Sequence, residues 1–186
     1  MRASPGSSST ASPPDDVIAI TPLADADPAA VETLLDLAFG ADRHGRTAYR
    51  LREGVCAIPH LSLAAFERGT LVGTLQSWPI ELAQADGSAE PIVLVGPVAV
   101  LPHRQRDGLG KMLMAEALVR ADAAGEDALL LIGDPEYYDR FFGFTAEPTG
   151  EWAVPGPVER HRLLARLTNG RRLPRSGTLQ PRHILR

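Results

Sequence analysis

Gln105, Arg106, Asp107, Gly108, Leu109 and Gly110 form the segment of this chain best suited to hold a ligand. They stand directly between an apolar run and a helical pattern, so the two glycines fall at a helix N-terminus. Amides there lack intrahelical partners, the helix dipole favours negative charge, and glycine lets a ligand approach the backbone closely. The guest such a loop suits is a phosphate. Arg104 and Arg106 add cationic side chains beside those amides, able to meet a diphosphate or a ribose phosphate through charge-assisted hydrogen bonds. The pattern is neither the Gly-x-Gly-x-x-Gly of dinucleotide folds nor a Gly-Lys-Ser/Thr phosphate loop, so both of those readings drop out. A Gln-x-x-Gly-x-Gly string alone is a weak signal, and its weight comes from its flanks.

Those flanks are a strand and a helix. Ile92–Val100 is nearly all apolar, as a strand buried on both faces requires. Gly110, Leu113, Met114, Ala117, Leu118 and Ala121 follow the spacing of an amphipathic helix, with Glu116 and Arg120 paired on another face. Gly125 ends that helix, and Ala128–Ile132 forms a second apolar strand, making one right-handed βαβ unit. Within the first strand, Pro97 removes a ladder donor and Gly96 marks a bulge. Upstream, Val17–Thr21 reads as a strand and Pro28–Phe39 as a helix burying Val31, Leu34, Leu35 and Ala38, with a further short helix around Thr47–Arg52. Leu61–Glu67 and Thr70–Leu82 read as a hairpin turning at Arg68 and Gly69, and Gln84–Pro91 as a loop. Downstream come a helix from about Pro135 to Phe142 and strands near Thr145–Val154 and His161–Leu167.

Val95-Gly-Pro-Val-Ala-Val100, Leu101-Pro-His-Arg-Gln-Arg-Asp-Gly-Leu-Gly110 and Gly133-Asp-Pro-Glu-Tyr-Tyr138 before Gly143-Phe144 resemble the core of the GNAT acetyltransferases. The resemblance spans Leu61 to about Phe144, and the last signature is similar to a branch of predicted N-acetyltransferases. It implies a mixed α/β GNAT fold, a central, mixed, splayed sheet of six or seven strands flanked by four helices. It also implies acetyl-CoA as co-substrate and transfer of its acetyl group to a primary amine. Carried over, the loop Gln105, Arg106, Asp107, Gly108, Leu109 and Gly110, with Arg104 beside it, holds the CoA pyrophosphate, while Val98 and Val100 pair with the pantetheine arm and Ala99 between them also contacts the cofactor. A backbone amide near Val98 or Ala99 would hold the oxyanion. The family's acid is commonly a tyrosine four residues before the Gly-Phe pair. Here that position is Asp139, and the tyrosines stand five and six residues before Gly143. Tyr138 is the choice for the acid, since a phenol can protonate a departing thiolate. Glu81, Asp134 and His103 are candidates for the base, which stays unassigned.

A chain of 186 residues with 44% hydrophobic content fits one domain with one active site. Residues 1–16 are rich in Ser, Pro, Ala and Gly and read as a disordered leader, 17–170 as the acetyltransferase domain and 171–186 as a basic tail. No run is long and apolar enough for a membrane span or a secretory signal, so a cytoplasmic protein is expected. The single Cys56 is expected to be a small buried side chain, and no Cys or His spacing indicates a metal. Net charge is −4, yet Arg160–Arg186 carries eight arginines and no acid, leaving 11 basic against 23 acidic residues, or −12, before it. Such a basic end could be a solvated strand and tail, meet nucleic acid, or set a homodimer's tails against acidic surfaces. Two other functions therefore stand beside transfer: a non-catalytic acyl-CoA sensor or scaffold, and a nucleic-acid-associated acyltransferase. Trp78 and Trp152 could line the acceptor pocket or pack in the core.

Overall fold

The structure, a computed structural model, describes residues 17–183, and the expected leader at 1–16 lies outside the described residues. The chain opens with β1 (Ile18–Pro22) and α1 (Pro28–Phe39). Asp27 caps α1 by accepting a bond from the Ala29 amide at 3.2 Å, and Pro28 supplies its preset first position. A short α2 (Thr47–Arg50) follows, two residues shorter than the sequence predicts. The hairpin β2 (Leu63–Glu67) and β3 (Thr70–Ala83) turns where expected. Arg68 and Gly69 take φ of 49° and 78°, the pair of positive values that a tight right-twisting hairpin turn needs.

β4 (Ala89–Val100), α3 (Leu109–Ala124) and β5 (Ala128–Ile132) form the expected crossover unit, with β4 and β5 parallel. α4 (Pro135–Phe142), β6 (Glu151–Ala153), β7 (Leu163–Leu167) and β8 (Ser176–Pro181) complete an eight-stranded mixed sheet. Its order is β1-β2-β3-β4-β5-β7, while β8 lies along Ile80–Ala83 of β3, where β2 has already ended, and pairs β6 on its other side.

Several boundaries differ from expectation. β4 begins at Ala89 because Ala89, Glu90 and Pro91 pair with Ala83, Leu82 and Glu81 despite their loop-like composition. The strand expected at Thr145–Val154 is broken by Pro148 and Gly150 into a bridge from Thr145 to Ala165, a 3₁₀ turn and β6. The segment read as a tail contains β8, whose one buried large side chain, Leu179, is too sparse a pattern to announce a strand. Cys56 is exposed rather than buried, because it lies in an irregular stretch between α2 and β2. No helix among the described residues is long and apolar enough to cross a membrane.

The core has two sides. Leu113, Met114, Ala117 and Phe142 of α3 and α4 pack with Leu63, Leu75, Val93 and Val95 on one face of the sheet. Val31, Leu34 and Leu35 of α1 pack with Ala64 and Ala99 on the other, and Trp152, Ile80, Leu94 and Leu163 extend that second face. What positions the site is a defect in the sheet. Leu75 pairs with Val98 and Ser77 with Val95, so Gly96 and Pro97, joined by a cis peptide, face Gln76 alone. That bulge bends β4, which pairs with β5 only at Val93–Leu129 and Leu94–Leu130 before the two strands part.

Candidate active site

α3 starts at Gly108, whose φ of 80° is the left-handed conformation that glycine adopts freely. The first intrahelical bond runs from the Met112 amide to the Gly108 carbonyl at 2.9 Å, leaving the amides of Leu109, Gly110 and Lys111 ahead of it without helical partners. Arg106 is also left-handed, at φ 83°, a conformation that costs a non-glycine residue about 1–2 kcal/mol. The loop is held in that curl from outside: Arg104 bonds Glu67 at the end of β2 and Asp107 at 2.6 Å. These two carboxylates, Glu67 foremost, raise the guanidinium's pKa. Arg104 is therefore a strut, and it neutralises the one acid of the loop.

The loop, the splayed end of β4 and α4 enclose a groove of about 460 Å³. Arg104, Gln105, Arg106, Gly108, Leu109 and Gly110 line it together with Val98 and Val100. Ala99 points to the other face, 1% exposed beneath α1, and Asp107 is turned to Arg104. Lys111, Met114, Phe39 and Phe141 also line the groove, and sequence reasoning missed all four. Lys111 follows Gly110 directly and its ammonium lies 3.9 Å from the Phe141 ring centre. Its place in the first helical turn was the available signal.

A larger cavity, about 1040 Å³, opens on the far side of the splay. Its walls are Leu94–Val98 of β4, Leu131 and Ile132 of β5, residues between Phe39 and Arg52, and Pro157, Val158, Glu159 and Arg162. Phe39, Val98 and Tyr138 line both spaces, so groove and cavity meet at β4 and α4. Tyr137 borders only the groove. Asp134 and Pro135 start α4, with the Asp134 carboxylate accepting from the Glu136 amide at 3.0 Å, and Gly143 ends it at φ 70°. The Tyr138 ring lies against Gly133 so closely that a Cβ there would come within 2.3 Å of it. Burial, then the neighbouring Tyr137 and Asp134, push the Tyr138 hydroxyl above the ordinary phenol range, and burial does the same to Tyr137.

None of the three base candidates lines the groove or the cavity. Asp134 is the α4 cap, Glu81 accepts from Gln180 at 2.7 Å beside β8, and His103 is exposed on the turn before the loop. Carboxylates that do line the cavity are Asp42 and Glu159. Trp152 is 1% exposed and donates to the Pro174 carbonyl at 2.9 Å, a core role. Trp78 borders neither space directly. The basic end meets acids of its own chain: Arg166 pairs with Asp122 at 3.1 Å, Arg171 with Glu90 at 2.5 Å, and Arg175 with Glu151 at 2.8 Å.

Comparison with known proteins agrees with this architecture. The family model of the acetyltransferase (GNAT) domain matches residues 19–146. A GNAT family N-acetyltransferase from Escherichia coli, solved with CoA, superposes with a TM-score of 0.67 over 93% of each chain at 24% identity. A GNAT family acetyltransferase from Brucella melitensis, solved with acetyl-CoA, gives 0.64 over 90% of this chain and 97% of its own at 25% identity. An uncharacterized N-acetyltransferase from Streptomyces avermitilis is 31% identical over 101 residues, which span 54% of this chain but only 24% of that relative. By the family match and by a fold whose helix-capped loop faces a splayed parallel strand pair, the chain belongs to the GNAT family of acetyltransferases.

Proposed function

We propose that the chain is an N-acetyltransferase that carries an acetyl group from acetyl-CoA to a primary amine by direct attack on the thioester. The observation that carries this reading is that a phosphate-suited groove and a separate, larger cavity meet at Val98 and Tyr138. Two substrates can thus arrive from opposite sides of the splay. The amides of Leu109, Gly110 and Lys111, with Arg106 and Lys111, take the pyrophosphate, while β4 from Val98 to Val100 takes the pantetheine arm. The relatives solved with CoA and acetyl-CoA support the same ligand here. The Gly133-Asp134-Pro135, Tyr137-Tyr138 and Gly143-Phe144 signature is read as that of the N-acetyltransferase branch.

The acceptor enters the larger cavity as a neutral amine. Its nitrogen bonds to the carbonyl carbon, a β4 amide near Val98 holds the oxyanion, the carbon–sulfur bond breaks, and Tyr138 gives its proton to the thiolate. Burial keeps Tyr138 protonated, as an acid must be. The amine's surplus proton leaves through water in the cavity. Thiol release from acetyl-CoA across a panel of amines tests this. Amine-dependent release, reduced about 10²–10⁴-fold in Tyr138→Phe, is the expected result. Tight acetyl-CoA binding without release under any amine would instead favour the acyl-CoA-binding module.

A further inference from the structure

Two buried cations line the larger cavity, Arg43 at 2% exposure and Arg52 at 8%. Arg43 is fully matched, by Glu32 at 2.5 Å, Asp36 at 2.8 Å and the Tyr49 hydroxyl. These bonds outweigh the cost of its burial and raise its pKa. Arg52 has no such match. Among the described residues no carboxylate lies within ion-pair distance of it, and its guanidinium carbon lies over two aromatic rings, 3.7 Å from the Tyr49 ring centre and 4.5 Å from that of Trp78. One Nη donates to Gln76 Oε1 at 3.1 Å. Burial lowers its pKa, the reverse of Arg43, even though Tyr49 and the more distant Glu32 act in the other direction. A buried cation without a carboxylate in ion-pair contact is costly, and the aromatic rings, the Tyr49 contact and one amide oxygen offset only part of that cost.

The two rings and Gln76 hold the guanidinium at the cavity wall, and its planar fork fits the two oxygens of a carboxylate. Its position is equally specific. Gln76 faces the Gly96–Pro97 bulge and Trp78 pairs with Leu94, so Arg52 contacts the stretch of β3 that pairs with the β4 segment lining the cavity.

We propose that Arg52 receives a carboxylate of the acceptor, making the acceptor an amino-acid-type molecule whose carboxylate lies within a few bonds of the reacting amine. A carboxylate's single charge matches the one buried cation without a carboxylate in ion-pair contact; Arg46 and Arg162 also line the cavity and donate to the Phe39 and Gly133 carbonyls. This inference rests on the acetyl-transfer reading above.

The test is thiol release from acetyl-CoA with two matched acceptor sets, the standard amino acids and their α-carboxamides, for wild type, Arg52→Gln and Arg52→Lys. Acetyl-CoA affinity and far-UV circular dichroism are followed in parallel. The wild type is expected to turn over at least one amino acid with a kcat/KM at least tenfold above its carboxamide, about the effect of one charge-assisted hydrogen bond. Arg52→Gln should bring that ratio towards one by slowing the acid alone, and Arg52→Lys should retain part of it, with acetyl-CoA affinity unchanged in both. If Arg52→Gln does not fold, the ratio in wild type and in Arg52→Lys decides. Equal rates for acids and amides, equal losses for both in the variants, or turnover of neither set while acetyl-CoA still binds would overturn the proposal. A wild type that does not bind acetyl-CoA would remove the acetyl-transfer reading and this proposal with it.

Discussion

Gly133→Ala isolates the placement of Tyr138 from its chemistry. Gly133 lies between β5 and α4, its amide bonded to the Arg162 carbonyl at 3.0 Å and its own carbonyl accepting from Arg162 Nε at 3.3 Å, so its backbone is pinned. A Cβ there would sit 2.3 Å from Tyr138 Cε2 and 2.6 Å from Cδ2, whereas ordinary contact begins at 3.4 Å, so the ring must retreat by 3.4 − 2.3 = 1.1 Å. Tyr137, Phe142 and Phe144 surround that ring with centroids 5.0, 6.1 and 6.4 Å away, which closes the easy paths. Overpacking of this kind costs about 1–3 kcal/mol of stability. A catalytic group misplaced by about 1 Å costs on the order of 10²-fold in rate. Steady-state thiol release should therefore show kcat down about 10²-fold in a protein that still melts cooperatively. Made in the Tyr138→Phe background, the same change should add less than about threefold, because the group it displaces is already gone. A folded Gly133→Ala with wild-type kcat, or full additivity with Tyr138→Phe, would refute the role given to Tyr138.

Further outcomes concern the loop, the cavity wall and pH. Gly108→Ala meets nothing within 4 Å but must hold φ +80°, so a loss of about 1–2 kcal/mol by thermal melting and weaker acetyl-CoA binding are expected. Gly110→Ala places its Cβ at ordinary contact, 3.7 and 3.8 Å from Val98 and Val100, and should leave calorimetric affinity within about threefold. Arg43→Met removes the bonds to Glu32, Asp36 and Tyr49 from a buried position and should cost about 2–4 kcal/mol in urea unfolding. Because burial raises the Tyr138 pKa in the folded state, the hydroxyl stays protonated beyond about pH 10, and the alkaline fall of kcat lies above that value. The same shift contributes stability that is present below about pH 10 and is lost as pH rises further, so Tyr138→Phe should lose less melting temperature on that side.

The elements that carry the site are legible in sequence where local signals agree. α1 and α4 run Pro28–Phe39 and Pro135–Phe142 as expected, because an Asp cap and a Pro at the first position mark each start and Gly40 or Gly143 each end. The bulge is legible from Gly96 and Pro97, and the phosphate-suited helix start from Gly108. The rest depends on contacts between distant residues. Arg104 reads as a ligand contact until Glu67, 37 residues away, engages it. β8 carries one buried leucine, so only its partner strands define it. Arg52 lies in the least regular part of the chain, and its meaning comes from Tyr49, Gln76 and Trp78 converging on it.

Calorimetric titration of acetyl-CoA into wild type and a Gly108→Glu, Gly110→Glu double variant decides whether the groove at the start of α3 holds the CoA pyrophosphate. The wild type should bind with a free energy near −8 kcal/mol, a dissociation constant of about 1 μM. That binding should be lost when two carboxylates occupy the anion site of an otherwise folded protein. Wild-type protein that does not bind acetyl-CoA, or a folded double variant that binds it equally well, would rule the groove out as the pyrophosphate site.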